Sequence, residues 1–135
     1  MRYTISYVST INSSLSKSEV KMLMGFVKDR NSILGVTGIL IHTEGNFFQV
    51  LEGEQELVKS LFKKIKIDDR HHSIIKMLDT TTDSTSFSQY HSSFTVVSER
   101  DGQNELRQFL KKEKENNPGH FKSISYLTKK IMNIL

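Results

Sequence analysis

Residues 36–53 read VTGILIHTEGNFFQVLEG, and this stretch decides the fold. Two apolar runs, at 36–42 and 47–52, flank four residues in which Gly45 and Asn46 accept the positive φ of a tight turn. The pattern predicts a β-hairpin. Its second strand is apolar at both odd and even positions, and side chains alternate between the two faces of a sheet. Both faces of the sheet must therefore be covered by other parts of the chain.

The segments on either side of the hairpin complete an α+β pattern. Period-2 alternation predicts strands, and apolar residues three and four apart predict helices. The order β-α-β-β-α-β-β consists of two split β-α-β halves plus one strand. We therefore expect a ferredoxin-like fold, a five-stranded mixed sheet with two helices on one face. The expected strands are residues 2–8, 36–42, 47–52, 73–81 and 92–98. The first expected helix runs from the serines at 13–16 to about residue 30 and ends near Asn31. The second runs from 54 to 67.

The C-terminal part of the chain offers a cover for the second face of the sheet. Residues 104–115 and 120–134 carry apolar side chains at helical spacing, and Pro118-Gly119 separates them. We predict a domain at residues 1–100 and a basic, amphipathic helical extension at 101–135. The helices of the extension should pack on the sheet face that the first two helices leave open.

The basic charge of the chain belongs to this extension. The chain has 135 residues and a net charge of +4, but residues 1–102 hold 12 Lys+Arg and 12 Asp+Glu and are neutral. Residues 103–135 hold the other 7 basic and 3 acidic residues. Because the apolar stripe has a use against the sheet, the lysines are explained as its solvated side, and we expect no nucleic-acid partner.

Composition excludes several classes of chemistry and location. Cysteine is absent, which rules out disulfides, thiolate catalysis and cysteine-bound zinc, and the histidines form no metal-ligand pattern. No apolar run approaches the ~20 residues that a membrane-spanning helix needs, and the N-terminus lacks the pattern of a signal peptide. We expect no metal, no membrane association and a cytoplasmic location.

Two polar side chains stand on the strand faces that the first two helices should cover. Tyr7 shares its face with Ile5, and Gln49 shares its face with Phe47 and Leu51. Burying an amide or a phenol is costly unless the group forms hydrogen bonds. One interpretation is a core glutamine satisfied by backbone or water. The other is an amide that faces a bound ligand and both donates and accepts.

Four spaced motifs resemble the BLUF domains, a family of flavin-binding blue-light sensors. Tyr7 lies in ISYVS, Arg30-Asn31 precedes GVTGIL, Gln49 lies in FFQVLEG, and residues 68–71 read DDRH. Each motif alone is weak, but all four occur in order at the family's spacing, over about residues 2–98. The resemblance favours a Gln49 that faces a ligand.

The resemblance implies a noncovalent flavin between the two helices, with FAD as the expected form and FMN or riboflavin as alternatives. Asn31 would anchor the pyrimidine edge of the ring, and Gln49 would bridge the flavin and the Tyr7 hydroxyl. Arg70 and His71 would be further cofactor contacts, the alternative being a solvated turn paired with an adjacent aspartate. In the family, light moves an electron and a proton from the tyrosine to the flavin. Their return leaves the glutamine rearranged, with a changed hydrogen bond at the flavin C4 carbonyl.

The resemblance breaks at the fifth strand, where Tyr90 and Ser92 occupy the positions of a family tryptophan and methionine. The methionine is thought to transmit the change at the glutamine, so we assign both residues to signal coupling. Two hypotheses for function follow. The first is a non-catalytic blue-light photoreceptor that signals to an effector protein. The second is a flavin-binding interaction module with altered or lost photoswitching.

Three further expectations concern partners and competing functions. Self-association is expected, because the extension should cover the apolar outer face only in part. A small acyl-phosphate hydrolase of similar architecture would need a glycine-rich anion loop, and residues 9–14 contain no glycine. An RNA-binding sheet would need exposed paired aromatic residues with flanking arginines, which the central strands lack.

Overall fold

The structure, a computed structural model, describes residues 2–82 and 94–131. The expectations for Tyr90 and Ser92, for the start of the fifth strand and for the end of the last helix lie outside the described residues. The elements are β1 (Arg2–Ile11), α1 (Lys17–Ile33), β2 (Thr37–Thr43), β3 (Asn46–Glu54), α2 (Gln55–Ile67), β4 (His71–Thr81), β5 (Phe94–Val97), α3 (Glu99–Asn116) and α4 (Pro118–Ile131).

The five strands form one mixed sheet in the order β4-β1-β3-β2-β5. β1 is antiparallel to β3 and β4, β2 is antiparallel to β3, and β2 pairs with β5 in parallel. β1 and β3 therefore lie side by side in the interior of the sheet. Their register sets Tyr7 directly opposite Gln49, and Leu40 of β2 is opposite Gln49 on the other side. The predicted ferredoxin-like α+β fold is confirmed.

Each face of the sheet has its own hydrophobic core. On one face, odd-numbered residues of β1 and β3 pack with side chains of α1 and α2, including Met24 and Phe62. On the other, Phe48 and Val50 pack with Leu106, Phe109 and further residues of α3 and α4. The rings of Phe48 and Phe109 meet edge to face with centroids 5.6 Å apart. The C-terminal helices thus cover the second face, as the apolar alternation of β3 predicts.

α3 approaches the sheet most closely at its first turns. A Cβ added to Gly102 would lie 2.1 Å from the backbone oxygen of His42 and 2.8 Å from Cγ2 of Thr43. Only glycine allows this approach without displacing the helix. The contact fixes the start of α3 against β2.

Several predicted boundaries were wrong. β1 continues past residue 8 to Ile11, and α3 begins at Glu99, five residues before the predicted start at 104. The other two differences lie near the cavity-facing residues of α1 and β4. α1 continues through Asn31 to Ile33 and ends at Leu34 because Gly35, at φ 74°, supplies the left-handed residue that terminates it. β4 begins at His71 instead of residue 73, because His71 pairs with Ile11 at the end of β1. Asn31 is therefore a helical residue, and His71 is a strand residue and not part of a polar turn.

Within residues 2–82 and 94–131, no helix has the combination of length and apolar character that crossing a bilayer requires.

Candidate functional site

A cavity of about 210 Å³ lies on the helix-covered face of the sheet, between α1, α2 and the central strands. Its polar and charged lining comes from β1, β3, β4, α1, α2 and the connection after α2. Its walls are apolar. The apolar lining residues are Leu23, Val27, Leu40, Phe47 and Ile65, and the polar or charged ones are Tyr7, Arg30, Gln49, Lys64, Asp68, Arg70 and His71.

Tyr7 and Gln49 form a hydrogen-bonded pair in this cavity. Both side chains are 2% exposed, and the Nε2 amide of Gln49 donates to the Tyr7 hydroxyl oxygen. Burial raises the pKa of Tyr7, an effect that the Gln49 hydrogen bond and the nearby Arg30 charge partly offset. Tyr7 is therefore a neutral phenol at neutral pH. The Oε1 carbonyl of Gln49 has no hydrogen-bond partner among the described residues.

Asn31 lies beside the cavity, behind Arg30, and does not itself line it. The side chain is completely buried. Its Oδ1 accepts a hydrogen bond from Nε of Arg30 at 3.2 Å, whereas its Nδ2 has no partner within the described part of the chain. A buried amide nitrogen without an acceptor is costly, so this donor is suited to a ligand.

The unpartnered amide groups of Asn31 and Gln49 fit the polar edge of a flavin ring. Nδ2 of Asn31 offers a donor, and Oε1 of Gln49 offers an acceptor. The pyrimidine edge of a flavin carries two carbonyls and an N–H, which complement these groups. The apolar walls on α1 and α2 fit the rest of the ring, since ligand pockets are mostly apolar with a few placed polar groups. The residues present are therefore compatible with a flavin.

Arg70 and Asp68 form an ion pair at the cavity. Nε of Arg70 lies 2.9 Å from Oδ1 of Asp68, and its Nη2 lies 2.6 Å from Oδ2. The hydrogen bond from Arg70 lowers the pKa of Asp68. The two side chains are 42% and 27% exposed, so the pair adds little stability. Arg70 forms the ion pair expected of a polar turn, and its guanidinium also lines the cavity, as expected of a cofactor contact.

His71 is buried at the side of the cavity and is held at both ring nitrogens. Nε2 lies 2.8 Å from the Ile65 carbonyl oxygen, and Nδ1 lies 2.8 Å from Oγ of Ser9. A carbonyl only accepts, so Nε2 carries the hydrogen, and in the neutral ring Nδ1 accepts from Ser9. The ring stands edge-on to Tyr7 with centroids 6.0 Å apart. His71 therefore acts as a fixed wall beside Tyr7.

Sequence reasoning missed two basic side chains that line the cavity, Arg30 and Lys64. Arg30 follows Leu23 and Val27 along one face of α1, and this spacing is the signal that could have revealed it. Lys64 precedes the lining residue Ile65 on α2, and this position carries no comparable signal in the sequence. Within the described ranges, no group of three or more His, Cys, Asp or Glu side chains forms a potential metal site.

The chain matches the family model described as "BLUF: Sensors of blue-light using FAD" over residues 3–93. Among curated proteins, it is 35% identical over 78 residues to the blue light- and temperature-regulated antirepressor BluF of Escherichia coli (strain K12). That alignment covers 58% of this chain and 19% of the relative. The chain thus spans about a fifth of the relative's length.

Solved structures of similar fold agree. Klebsiella pneumoniae BlrP1, determined with FMN and cyclic diGMP, has 29% identity and a TM-score of 0.66, and the match covers 82% of this chain and 30% of that chain. BlsA in its photo-activated state has 28% identity and a TM-score of 0.66, and the match covers 86% of this chain and 83% of that chain. The family match extends over more than half of the chain and includes Tyr7, Asn31, Gln49 and the Asp68–His71 segment. The chain belongs to the BLUF family of flavin-based blue-light sensors.

Proposed function

We propose that the protein is a blue-light photoreceptor that binds FAD between α1 and α2 and signals through a rearrangement of the hydrogen bond between Tyr7 and Gln49. One observation carries this proposal. A buried phenol and a buried amide are hydrogen-bonded at the bottom of a cavity that fits a flavin, and the amide carbonyl is unpartnered. A buried carbonyl without a partner is costly, and a donor on a bound ligand would satisfy it.

Each residue of the pair has a distinct role. A bound flavin supplies absorption of blue light and acceptance of an electron. Tyr7, a neutral phenol held protonated by its burial, would give both an electron and a proton to the flavin and become a neutral tyrosyl radical. Gln49 exchanges the donor and acceptor ends of its amide, so its contact with Tyr7 and its contact with the flavin change together. The return of both the electron and the proton to Tyr7 would leave Gln49 in the altered arrangement, which would be the signalling state.

Neighbouring residues hold the ring in position. Asn31 would hold the pyrimidine edge through its unpartnered Nδ2, with the side chain oriented by the hydrogen bond from Arg30 to Oδ1. Arg70 contributes a donor at the same cavity, steadied by Asp68. His71 keeps Tyr7 in place from the side.

The charges around the cavity favour a flavin that carries phosphate. Arg30, Lys64 and Arg70 bring three cations to the lining, and Asp68 is the one carboxylate among the lining residues. Phosphate groups are recognised by clusters of this kind. FAD and FMN carry phosphate, and riboflavin does not. The relative BlrP1 was determined with FMN.

The proposed role is sensory and not catalytic, with the output passed to a protein partner. One relative is a blue light- and temperature-regulated antirepressor. We propose residues 1–100 as the sensor and residues 101–135 as the extension through which the response leaves. Self-association and a cytoplasmic location remain predictions.

A second candidate function is a flavin-binding interaction module that no longer switches. Ser92 favours it, because a small hydroxyl side chain replaces the methionine of the family at a position assigned to coupling. Flavin binding should survive this replacement better than signalling does. Only the response to light separates the two candidates.

Absorption spectra of the flavin-loaded protein before, during and after blue illumination test both. The photoreceptor is expected to be yellow and to show a modest red shift that reverses in darkness. A yellow protein without a reversible shift favours the constitutive module. A protein that remains colourless when FAD, FMN and riboflavin are each supplied contradicts both.

A further inference from the structure

Two glutamates interrupt apolar patterns on the second face of the sheet, where α3 packs. In β3, the residues facing α3 are Phe48, Val50 and then Glu52. In α3, the buried stripe that begins with Gly102 ends with Glu113. An acidic residue thus occupies the last position of each apolar row, and the two rows belong to the same interface.

Both carboxyl groups are buried, and they differ in their partners. Glu52 is fully buried, and its Oε1 lies 3.1 Å from Nη2 of Arg2. Glu113 is 2% exposed, and its Oε2 has no hydrogen-bond partner among the described residues. Arg2 therefore stabilises the ionised form of Glu52. Glu113 has no described cation beside it.

Electrostatics favours a single proton on this pair. Two buried carboxylates that repel each other in a poorly solvated interface cannot both remain ionised cheaply, so one takes up a proton. Burial, and in second place the charge of Glu52, raise the pKa of Glu113 to about 7. A protonated Glu113 is a hydrogen-bond donor, and the ionised Glu52 is an acceptor.

We propose that Glu52 and Glu113 share one proton across the interface between the sheet and α3, and that this proton holds the C-terminal helices on the sheet. The proposal goes beyond the flavin site and does not depend on a bound flavin. Glu52 lies three residues from Gln49 on β3, on the opposite face of the sheet. The shared proton therefore joins the strand that carries Gln49 to the C-terminal extension.

The shared proton makes docking of α3 dependent on pH, with a defined sign. An acid whose pKa is higher in the docked than in the undocked state destabilises docking as pH rises from its ordinary value to the raised one. The contribution of Glu113 to docking is therefore complete at and below about pH 4.5, falls as pH rises to about 7 and changes little above it. The other charged or titratable groups at this interface are Arg2 from β1, His42 from β2 with Glu99 of α3, and His120 from α4.

The two histidines change the docking of α3 with pH in the opposite direction to Glu113. The experiment must therefore compare proteins in which the contribution of the histidines is the same. Burial lowers the pKa of His42 and of His120, and each group strengthens docking as pH rises toward its ordinary value of 6.5. A comparison of the wild type with Glu113→Gln leaves both histidines in place. Glu115→Gln is the matched control, since Glu115 is an exposed carboxylate on the same helix.

The test is amide hydrogen exchange of α3 in the full-length protein from pH 5 to pH 8, corrected for intrinsic exchange rates. With pKa values of 4.5 undocked and about 7 docked, opening of α3 in the wild type becomes about 70-fold more favourable over this range, relative to Glu113→Gln. Glu115→Gln should behave as the wild type does. Parallel pH dependence in the wild type and Glu113→Gln would overturn the proposal.

A second measurement, on the wild type, does not rely on the variant folding normally. Infrared spectroscopy in heavy water should detect a protonated carboxyl at pH 6 that disappears as pH rises through about 7. The band should persist in Glu115→Gln and be absent in Glu113→Gln. A wild-type protein with every carboxyl ionised at pH 6 would overturn the shared proton directly. Loss of flavin binding would leave both measurements unchanged, so a failure of the proposed function is distinguishable.

Discussion

Replacement of Gly102 by alanine should destabilise the protein, although alanine is the better helix former. The added Cβ would lie 2.1 Å from the His42 backbone oxygen, whereas nonbonded heavy atoms attract at about 3.5–4.0 Å. The obstructing atom is backbone and cannot rotate away, so α3 must retreat from β2 by roughly 1 Å. Overpacking of this kind typically costs about 1–3 kcal/mol.

Gly25→Ala is the matched control for this variant. Gly25 also lies in a helix, but a Cβ there would meet nothing within 4 Å. Alanine in place of glycine stabilises a helix interior by about 0.8–1.0 kcal/mol. We expect Gly25→Ala to raise the free energy of unfolding by about that amount, and Gly102→Ala to fall about 1–3 kcal/mol below it, since the helix gain cancels in the difference.

Urea unfolding, analysed by linear extrapolation, measures both free energies. The two variants should differ in midpoint and share the m-value of the wild type. If Gly102→Ala gained as much stability as Gly25→Ala, α3 would not rest on the His42 carbonyl, and the packing of the C-terminal helices on β2 would be refuted.

Three further predictions concern the flavin site. Tyr7→Phe should retain flavin but lose the reversible red shift, because the ring no longer has a proton to give, and normal photocycling measured by absorption would exclude Tyr7 as the donor. Lys64→Ala should weaken FMN binding by roughly 2–5-fold, the effect expected for one exposed charge, and leave riboflavin binding unchanged. Fluorescence titrations measure both affinities, with Lys63→Ala as the control. Equal losses for the two flavins would contradict a contact between Lys64 and the phosphate. Ser92→Met should change the dark-recovery rate and not flavin affinity, and unchanged recovery kinetics would show that this position does not couple to Gln49.

Part of the site was predictable from strand alternation. Alternation puts Tyr7 on the same face of β1 as Ile5, and Gln49 on the same face of β3 as Phe47 and Leu51. Whether these are the same face of the sheet depends on how the two strands pair. The direct opposition of the two residues required the register of β1 with β3. The pattern of a single sequence does not fix that register.

The rest of the site depends on where elements end and where long side chains bend. Asn31 was expected at the end of α1, but Gly35 terminates the helix one turn later. His71 was expected in a turn, but pairing with Ile11 draws it into β4. Lys64 has a long, flexible side chain that reaches the cavity from an exposed helix position. Hydrophobic periodicity identifies the buried face of a helix and does not predict how far a long side chain extends from the other face.

The central claim is that light rearranges the hydrogen bonds of Gln49 at a bound flavin. Light-minus-dark infrared difference spectroscopy of the flavin-loaded protein tests it most directly, with the wild type compared to Gln49→Leu. In the wild type, we expect a reversible shift of the flavin C4 carbonyl band that decays together with the red-shifted absorption. In a Gln49→Leu protein that still holds flavin, we expect no such shift. A carbonyl band that does not move in the wild type, or that moves equally in Gln49→Leu, would contradict it.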